Sequence, residues 1–231
     1  RDRLRSRGLG DVYKRQFLCY DKLKNFHRGD CLEEIKKEPV TVLFILLNIL
    51  IFVIVDFTGG SENTVHMIAC GAAYPPLILE EGETYRLFTC MFLHFGIYHI
   101  ANNMLVLFVL GQRLEPVLGK VKFILVYLLG GLGGNIFSLL METKKAEYAV
   151  SAGASGAVFA VMGAMLYVVI RSRGRIQDIS VRQMMIMAGF SLYFGFTSTG
   201  VDNAAHVGGL VCGFILAALL YHPGKVSGRR I

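Results

Sequence analysis

The chain has 231 residues, 54% of them hydrophobic and 18% charged, with a formal net charge of +7. Its apolar residues come in long blocks rather than dispersed on helix faces, which excludes an ordinary soluble domain and leaves no room for a second sizeable one. The basic balance raises nucleic acid as a partner, but the placement of the charges excludes it.

Residues 1–16, "RDRLRSRGLGDVYKRQ", differ in character from everything after them. They read as translated sequencing-tag DNA, with a disordered basic tail as the alternative, and are set apart from functional reasoning. Residues 17–38 read as a short cytoplasmic lead-in. A membrane span needs about 20 predominantly apolar residues to cross a core of about 30 Å. Six segments qualify as candidates: 39–57, 94–112, 121–141, 155–170, 183–199 and 203–221. The expected fold class is therefore an all-α polytopic membrane protein, a six-helix bundle over 39–221 with a tail at 222–231. Between the first two segments lies a connection of about 35 residues, far longer than the usual connection, and long loops are often functional. Its "YPPLILEEGETYRLFTCMF" carries apolar patches too short to span and reads as a re-entrant or interfacial segment.

Lys and Arg number five in 17–38, three in 113–122, four in 171–182 and three in the C-terminal tail. The opposite connections carry only Arg86, Lys144 and Lys145. That asymmetry places both termini in the cytoplasm, in what is expected to be a prokaryotic cell membrane, and makes the basic charge a topology signal. Five cysteines form no CxxC pair, and "HMIAC" at 66–70 is a weak metal signal on its own. Cys70 and Cys90 share the long loop, which leaves a disulfide between them open.

Polar side chains inside spans are few: His99, Asn102, Asn103, Asn135, Ser155 and His206. At membrane depth such groups are functional-site candidates because their desolvation is costly. His99 and Asn103, four apart, share one helix face. The fourth segment, from Ser155 to Ile170, would be about 24 Å long at 1.5 Å per residue, short of the core thickness. Pinned by Arg171 at the cytoplasmic side, it leaves Ser155 below the external surface, where irregular backbone must line a cavity or be buried in protein. A helix N-terminus there gathers unpaired N–H groups suited to an oxyanion. A serine becomes a nucleophile only with a base in reach. His206 enters the last segment from the same face, and Gly156, Gly209 and Gly213 allow close helix approach. Ser155 as nucleophile, His206 as base and then acid, and His99, Asn103 and the Ser155 backbone as oxyanion donors make an acyl-transfer site. Asp202, one turn before His206, is either a third triad member or an N-cap.

Together these residues resemble the rhomboid family of intramembrane serine proteases, over about 39–221. "GASG" matches G-x-S-G, with Gly153 as its first glycine and Ser155 as the nucleophile; "AHVGGLVCG" matches A-H-x-x-G-x-x-x-G, with the base at His206. "HIANN" matches H-x-x-x-N, and "EPVLG" matches E-x-x-x-G, making Glu115 and Gly119 structural elements. Phe159 stands where the family places an aromatic ring against the catalytic imidazole. The family's Trp-Arg in the first loop is here Tyr85-Arg86, with Arg86 as a supporting residue. The resemblance implies cleavage of transmembrane protein substrates in or near their span, at a small residue with helix-destabilising residues downstream. It implies no cofactor, metal or nucleic acid, and the lipid bilayer as the working medium. The long first loop and the fifth segment are both candidate gates. The rival reading is a catalytically silent rhomboid-like protein that binds membrane clients, which would be expected to lack the serine or the histidine. A small transporter is disfavoured by the absence of inverted repeats and intramembrane acids.

Overall fold

The computed structural model describes residues 38–142, 148–176, 178–198 and 200–222. Residues 1–37, Lys144, Lys145 and most of the C-terminal tail, on which several expectations rest, lie outside them. The described residues from Val40 to His222 form one compact unit; of the preceding unit, Arg1–Pro39, only Glu38 and Pro39 are described.

Six long helices dominate: α1 (Pro39–Gly59), α5 (Gly96–Leu118), α6 (Lys120–Glu142), α7 (Ser155–Arg171), α8 (Val181–Thr197) and α9 (Asn203–Leu220). By length and apolarity α1, α6 and α9 are each able to cross a membrane, and α5 joins them if it is counted with the bent segment before it. This is an integral, all-helical, polytopic membrane protein. Its sole strands among the described residues are the two-residue β1 (Arg175–Ile176) and β2 (Ile179–Ser180), paired antiparallel in the connection between α7 and α8.

α1 shows how the sequence sorts its faces. Val40, Thr41, Phe44, Asn48, Phe52 and Val55 recur at helical spacing and are buried. Leu43, Leu46, Leu50, Ile54 and Phe57 point outward at 53–88% exposure. A helix apolar on both faces suits lipid on one side and protein on the other. Its start is fixed by Glu115, whose carboxylate accepts from Val40 N, Thr41 N and Thr41 Oγ1 at 3.1, 2.8 and 2.7 Å. Phe44 then stacks on Tyr127 of α6, with ring centroids 4.1 Å apart.

The long first loop is folded rather than loose. It contains α2 (Thr64–Ala69), capped by the Asn63 side chain, then α3 (Pro75–Leu79), α4 (Arg86–Thr89) and a 3-10 turn at Cys90–Phe92. Arg86, 5% exposed, donates through Nη1 to the carbonyls of Ile68 and Ala72 and pairs with Glu83. Arg86 thereby ties the second half of this loop to its first half. Arg86–Phe92 meets α5 at an 89° bend, and Gly96 at that bend has φ +74°, a conformation that favours glycine. Cys70 and Cys90 are both free thiols.

α7 is the centre of the bundle, packed against α5, α6, α8 and α9. Small residues on both helices set the distance between α7 and α9: a Cβ on Gly213 of α9 would collide with the Ala160 backbone, one on Gly209 of α9 with Gly156 O, and one on Gly163 of α7 with Leu210 O. At Gly156 a Cβ would meet only ordinary contacts at 3.6–3.7 Å; the tight approach there is made by Gly209 of α9 against the Gly156 backbone, so the positions that cannot carry a Cβ are 209, 213 and 163.

Candidate active site

α6 ends at Glu142, and the chain enters α7 through "SAGA" at 151–154, a passage held by hydrogen bonds at Ser151, Gly153 and Ala154. Ser151 N and O exchange hydrogen bonds of 2.9 Å with Ala73 of the first loop. Gly153 N donates to Cys90 O at 2.9 Å, and Ala154 N donates to His94 Nε2 at 3.3 Å. α7 then begins at Ser155 with Ala154 as its N-cap, a residue whose side chain has no acceptor. The first N–H groups of α7 are therefore left without a side-chain cap, at the positive end of the helix dipole.

Ser155 is half-buried, and Phe159 lies one turn further along the same face. The His206 ring of α9 stacks on Phe159, with centroids 4.3 Å apart and planes at 14°. His206 is 7% exposed; its Nδ1 is buried without a hydrogen-bond partner, and among the described residues no hydrogen bond joins its ring to Ser155 Oγ. Asp202 does not supply a third triad member. Its Oδ1 accepts from Ala205 N at 2.9 Å, and Oδ2 accepts from Ser138 Oγ and Ser151 Oγ at 2.6 and 2.8 Å. It is the N-cap of α9.

Above Ser155, Gly153 sits at φ +150°. A Cβ on it would stand 2.8 and 2.9 Å from His99 Cε1 and Nε2, and 3.6 Å from Ser155 Oγ. Glycine at 153 thus keeps open a gap bordered by the serine oxygen and the His99 ring. Asn103, one turn below His99 on α5, is 4% exposed, and its Nδ2 is a buried donor without a partner. An unpaired buried amide N–H is costly. Asn102 is exposed.

Three contributors lie outside the residues expected to carry the chemistry: His94, read from the sequence as structural or interfacial, and Ser151 and Ser138, which were not singled out. His94, 1% exposed, packs edge-on against His99 at 5.2 Å while holding the Ala154 N–H. Ser151 and Ser138 bind Asp202. Ser138 lies three residues after Asn135 in a span, so its polarity at depth was the available signal. Asn135 itself donates to Leu87 O at 2.8 Å and to Cys90 Sγ at 3.1 Å, anchoring the bent segment on α6.

A family model described as "Rhomboid domain" matches residues 81–223. The chain is 40% identical over 196 residues to "Rhomboid protease GluP" of Bacillus subtilis (strain 168), covering 84% of this chain and 38% of that protein. It is 37% identical over 145 residues to "RHOMBOID-like protein 5" of Arabidopsis thaliana, covering 62% and 46%. With "RHOMBOID-like protein 7" of the same plant it shares 36% over 168 residues, covering 71% and 51%. The chain thus spans 38–51% of the length of these relatives. The motif residues His99, Asn103, Glu115, Gly119, Ser155 and His206 all fall inside the matched region, and the chain belongs to the rhomboid family.

Proposed function

We propose that this protein is an intramembrane serine endopeptidase that cuts transmembrane protein substrates in or near their span, in keeping with its similarity to the Bacillus subtilis rhomboid protease. The observation that carries the reading is the stack of His206 on Phe159, one turn along α7 from Ser155. It lays the imidazole against the helix face that bears the serine, at the uncapped start of that helix.

In the proposed reaction His206 takes the Ser155 proton as Oγ attacks the substrate carbonyl. The oxyanion forms in the gap beside Gly153, where the Ser155 N–H, His99 and the free Asn103 amide donate to it. Collapse expels the amine, which receives the proton from His206, and leaves an acyl-serine. Water, deprotonated by His206, then releases the acid and restores Ser155. With Asp202 committed elsewhere, the serine and histidine act as a dyad. The hydroxyl–imidazole hydrogen bond tightens only when substrate excludes water, as is common for catalytic contacts in free enzymes. The same reading takes all six long helices as spans, α7 being a short one shielded on every side, with both termini cytoplasmic in a prokaryotic cell membrane.

Purified protein in proteoliposomes with a model single-span substrate tests this. Wild type should cleave, and Ser155→Ala and His206→Ala should each lose at least about 10³-fold. Cleavage that persists in Ser155→Ala would remove the mechanism. A wild type that binds such clients but never cuts them would favour the silent, client-binding alternative.

A further inference from the structure

Asp202 is committed more heavily than a helix cap requires. Capping α9 needs one acceptor for Ala205 N, which Oδ1 supplies and which serine or asparagine would supply equally well. The second oxygen takes two further hydrogen bonds from hydroxyls on two other parts of the chain, Ser138 of α6 and Ser151 of the passage into α7. A carboxylate oxygen can accept both at once, and bonds to an ionised acceptor are roughly twice as strong as neutral ones.

The location of these partners gives the arrangement its meaning. Ser151 stands four residues before Ser155, and Asp202 stands four residues before His206. The Ser151–Asp202 bond therefore joins the strand of chain that delivers the nucleophile to the cap of the helix that delivers the base, while Ser138 ties both to α6. The opposite side of the Ser151 residue is fixed to Ala73 through the backbone. Further along, α7 and α9 are held at a fixed distance by Gly209 on Gly156. Besides the stack of His206 on Phe159, the Ser151–Asp202 bond is the side-chain link among the described residues between the start of α9 and the chain entering α7.

We propose that Asp202 is a positioning residue for the dyad: it sets the approach of Ser155 and His206 by bridging Ser151 to the start of α9, and it touches neither reacting atom nor the His206 ring. The inference rests on the protease reading. A displacement of reacting groups by about 1 Å can cost about 10²-fold in rate, so loss of the bridge should appear in kcat rather than in substrate binding.

Three variants separate cap, charge and bridge. Asp202→Ser keeps a cap acceptor but is too short to reach both hydroxyls. Asp202→Asn removes the charge but keeps the bridge, because Oδ1 caps Ala205 while the two Nδ2 hydrogens face the two serine oxygens. Ser151→Ala leaves cap and charge intact and cuts the bridge alone. Each is assayed in proteoliposomes over a range of substrate mole fractions, with thermal unfolding recorded alongside and Ser155→Ala in parallel. The expected result is a kcat loss of about 10-fold or more in Asp202→Ser, with KM within about twofold. Asp202→Asn should stay within about threefold of wild type in kcat, and Ser151→Ala should fall with Asp202→Ser. Wild-type kcat in a folded Asp202→Ser, or in Ser151→Ala, overturns the inference. So does an Asp202→Asn as impaired as Asp202→Ser, which would assign the effect to charge. If Asp202→Ser does not fold, Ser151→Ala decides alone. Activity in Ser155→Ala would defeat the protease reading itself, whereas an inactive Ser155→Ala beside an unimpaired Asp202→Ser and Ser151→Ala defeats only the positioning role.

Discussion

Helices α7 and α8 are each 17 residues long, follow one another in the chain and occupy very different surroundings. α7 buries 12 of its residues, from Gly156 to Val169 and all round its circumference. α8 buries Met184, Ala188 and Gly195, and turns Phe190, Tyr193, Phe194 and Phe196 outward at 60–68% exposure. In water such a face would demand a partner; in a bilayer, lipid supplies one at no hydrophobic penalty, and only packing holds the helix to its neighbours. Ser155 thus opens the most closely packed of the helices, and beside that helix stands one with few contacts to break. The first loop is stapled to itself by Arg86 and to α6 by Asn135, so under the proposed protease reading α8 is the better candidate gate.

The contrast is broken most severely by adding one methyl group to a glycine of each region. On α9, Gly213→Ala pushes a Cβ into the Ala160 backbone, which cannot give way without separating α7 from α9. We expect a loss of about 3 kcal/mol or more and little recoverable folded protein, read by thermal unfolding in detergent. On α8, Gly189→Ala meets nothing within 4 Å. It should leave the melting temperature unchanged or slightly raised, since alanine is the better helix former. Equal effects of the two substitutions would show that the two helices are packed alike.

Much of this arrangement was legible in the sequence, for a physical reason in each case. Lipid demands long apolar runs, so helix positions appear within a few residues, and polar side chains stand out against them. Hence Ser155, His99, Asn103 and His206 stand out as a set in the sequence; in the structure Ser155 Oγ and the His99 ring border the gap at Gly153, while His206 stacks on Phe159. The first loop was less legible, because its four short pieces depend on Arg86 reaching carbonyls 14 and 18 residues away rather than on local periodicity. Asp202 was ambiguous for a related reason: a cap and a triad acid look the same at that spacing, and only the hydroxyls of Ser138 and Ser151 decide between them. The glycines illustrate the limit most sharply. Gly156 and Gly163 are indistinguishable as letters, yet the register of α9 makes 163 the position that cannot carry a Cβ.

A smaller effect is expected where α1 meets the core. Glu115→Ala would leave the Val40 and Thr41 amides and the Thr41 hydroxyl without their acceptor. We expect about 2–3 kcal/mol of destabilisation, visible as a lower melting temperature. Glu115→Gln should recover part of it by keeping one acceptor oxygen. Because Glu115 lies far along α5 from His99, the folded fraction should retain its cleavage rate.

Met184→Ala tests how firmly α8 is docked. Met184 is 1% exposed and is the largest buried side chain on that helix. Removing it should weaken the docking by about 2 kcal/mol. The consequence should be local: faster amide hydrogen exchange along α8, with α7 unchanged, and a higher rate of cleavage if α8 admits substrate. Faster exchange in both helices would mean that they unfold as one unit and that α8 is no gate.

The smallest change is expected just before the start of the same helix, where Arg113 of α5 grips Asp178 in the turn between β1 and β2. The contact is bidentate, with Nε–Oδ1 at 2.9 Å and Nη2–Oδ2 at 2.8 Å. Asp178 is exposed to solvent, and its hydrogen bonds from Arg113 hold its carboxyl down at about 2. A carboxyl depressed in the folded state stabilises at any pH above its ordinary value of 3.8, and the contribution disappears only as pH falls through about 2. The grip should therefore be constant from pH 5 to 9, as far as this pair determines it. It is also screened by salt, so Asp178→Asn should cost well under about 1 kcal/mol and less still at high ionic strength. Hydrogen exchange in the turn and the first residues of α8 reads this directly. A modest acceleration at low salt that vanishes at high salt, equal at pH 6 and pH 8, would mark the pair as a weak tether on the mobile helix. No acceleration at low salt would mean that α8 is held at this end by the Ser180–Gln183 capping box and its contact with α7 alone.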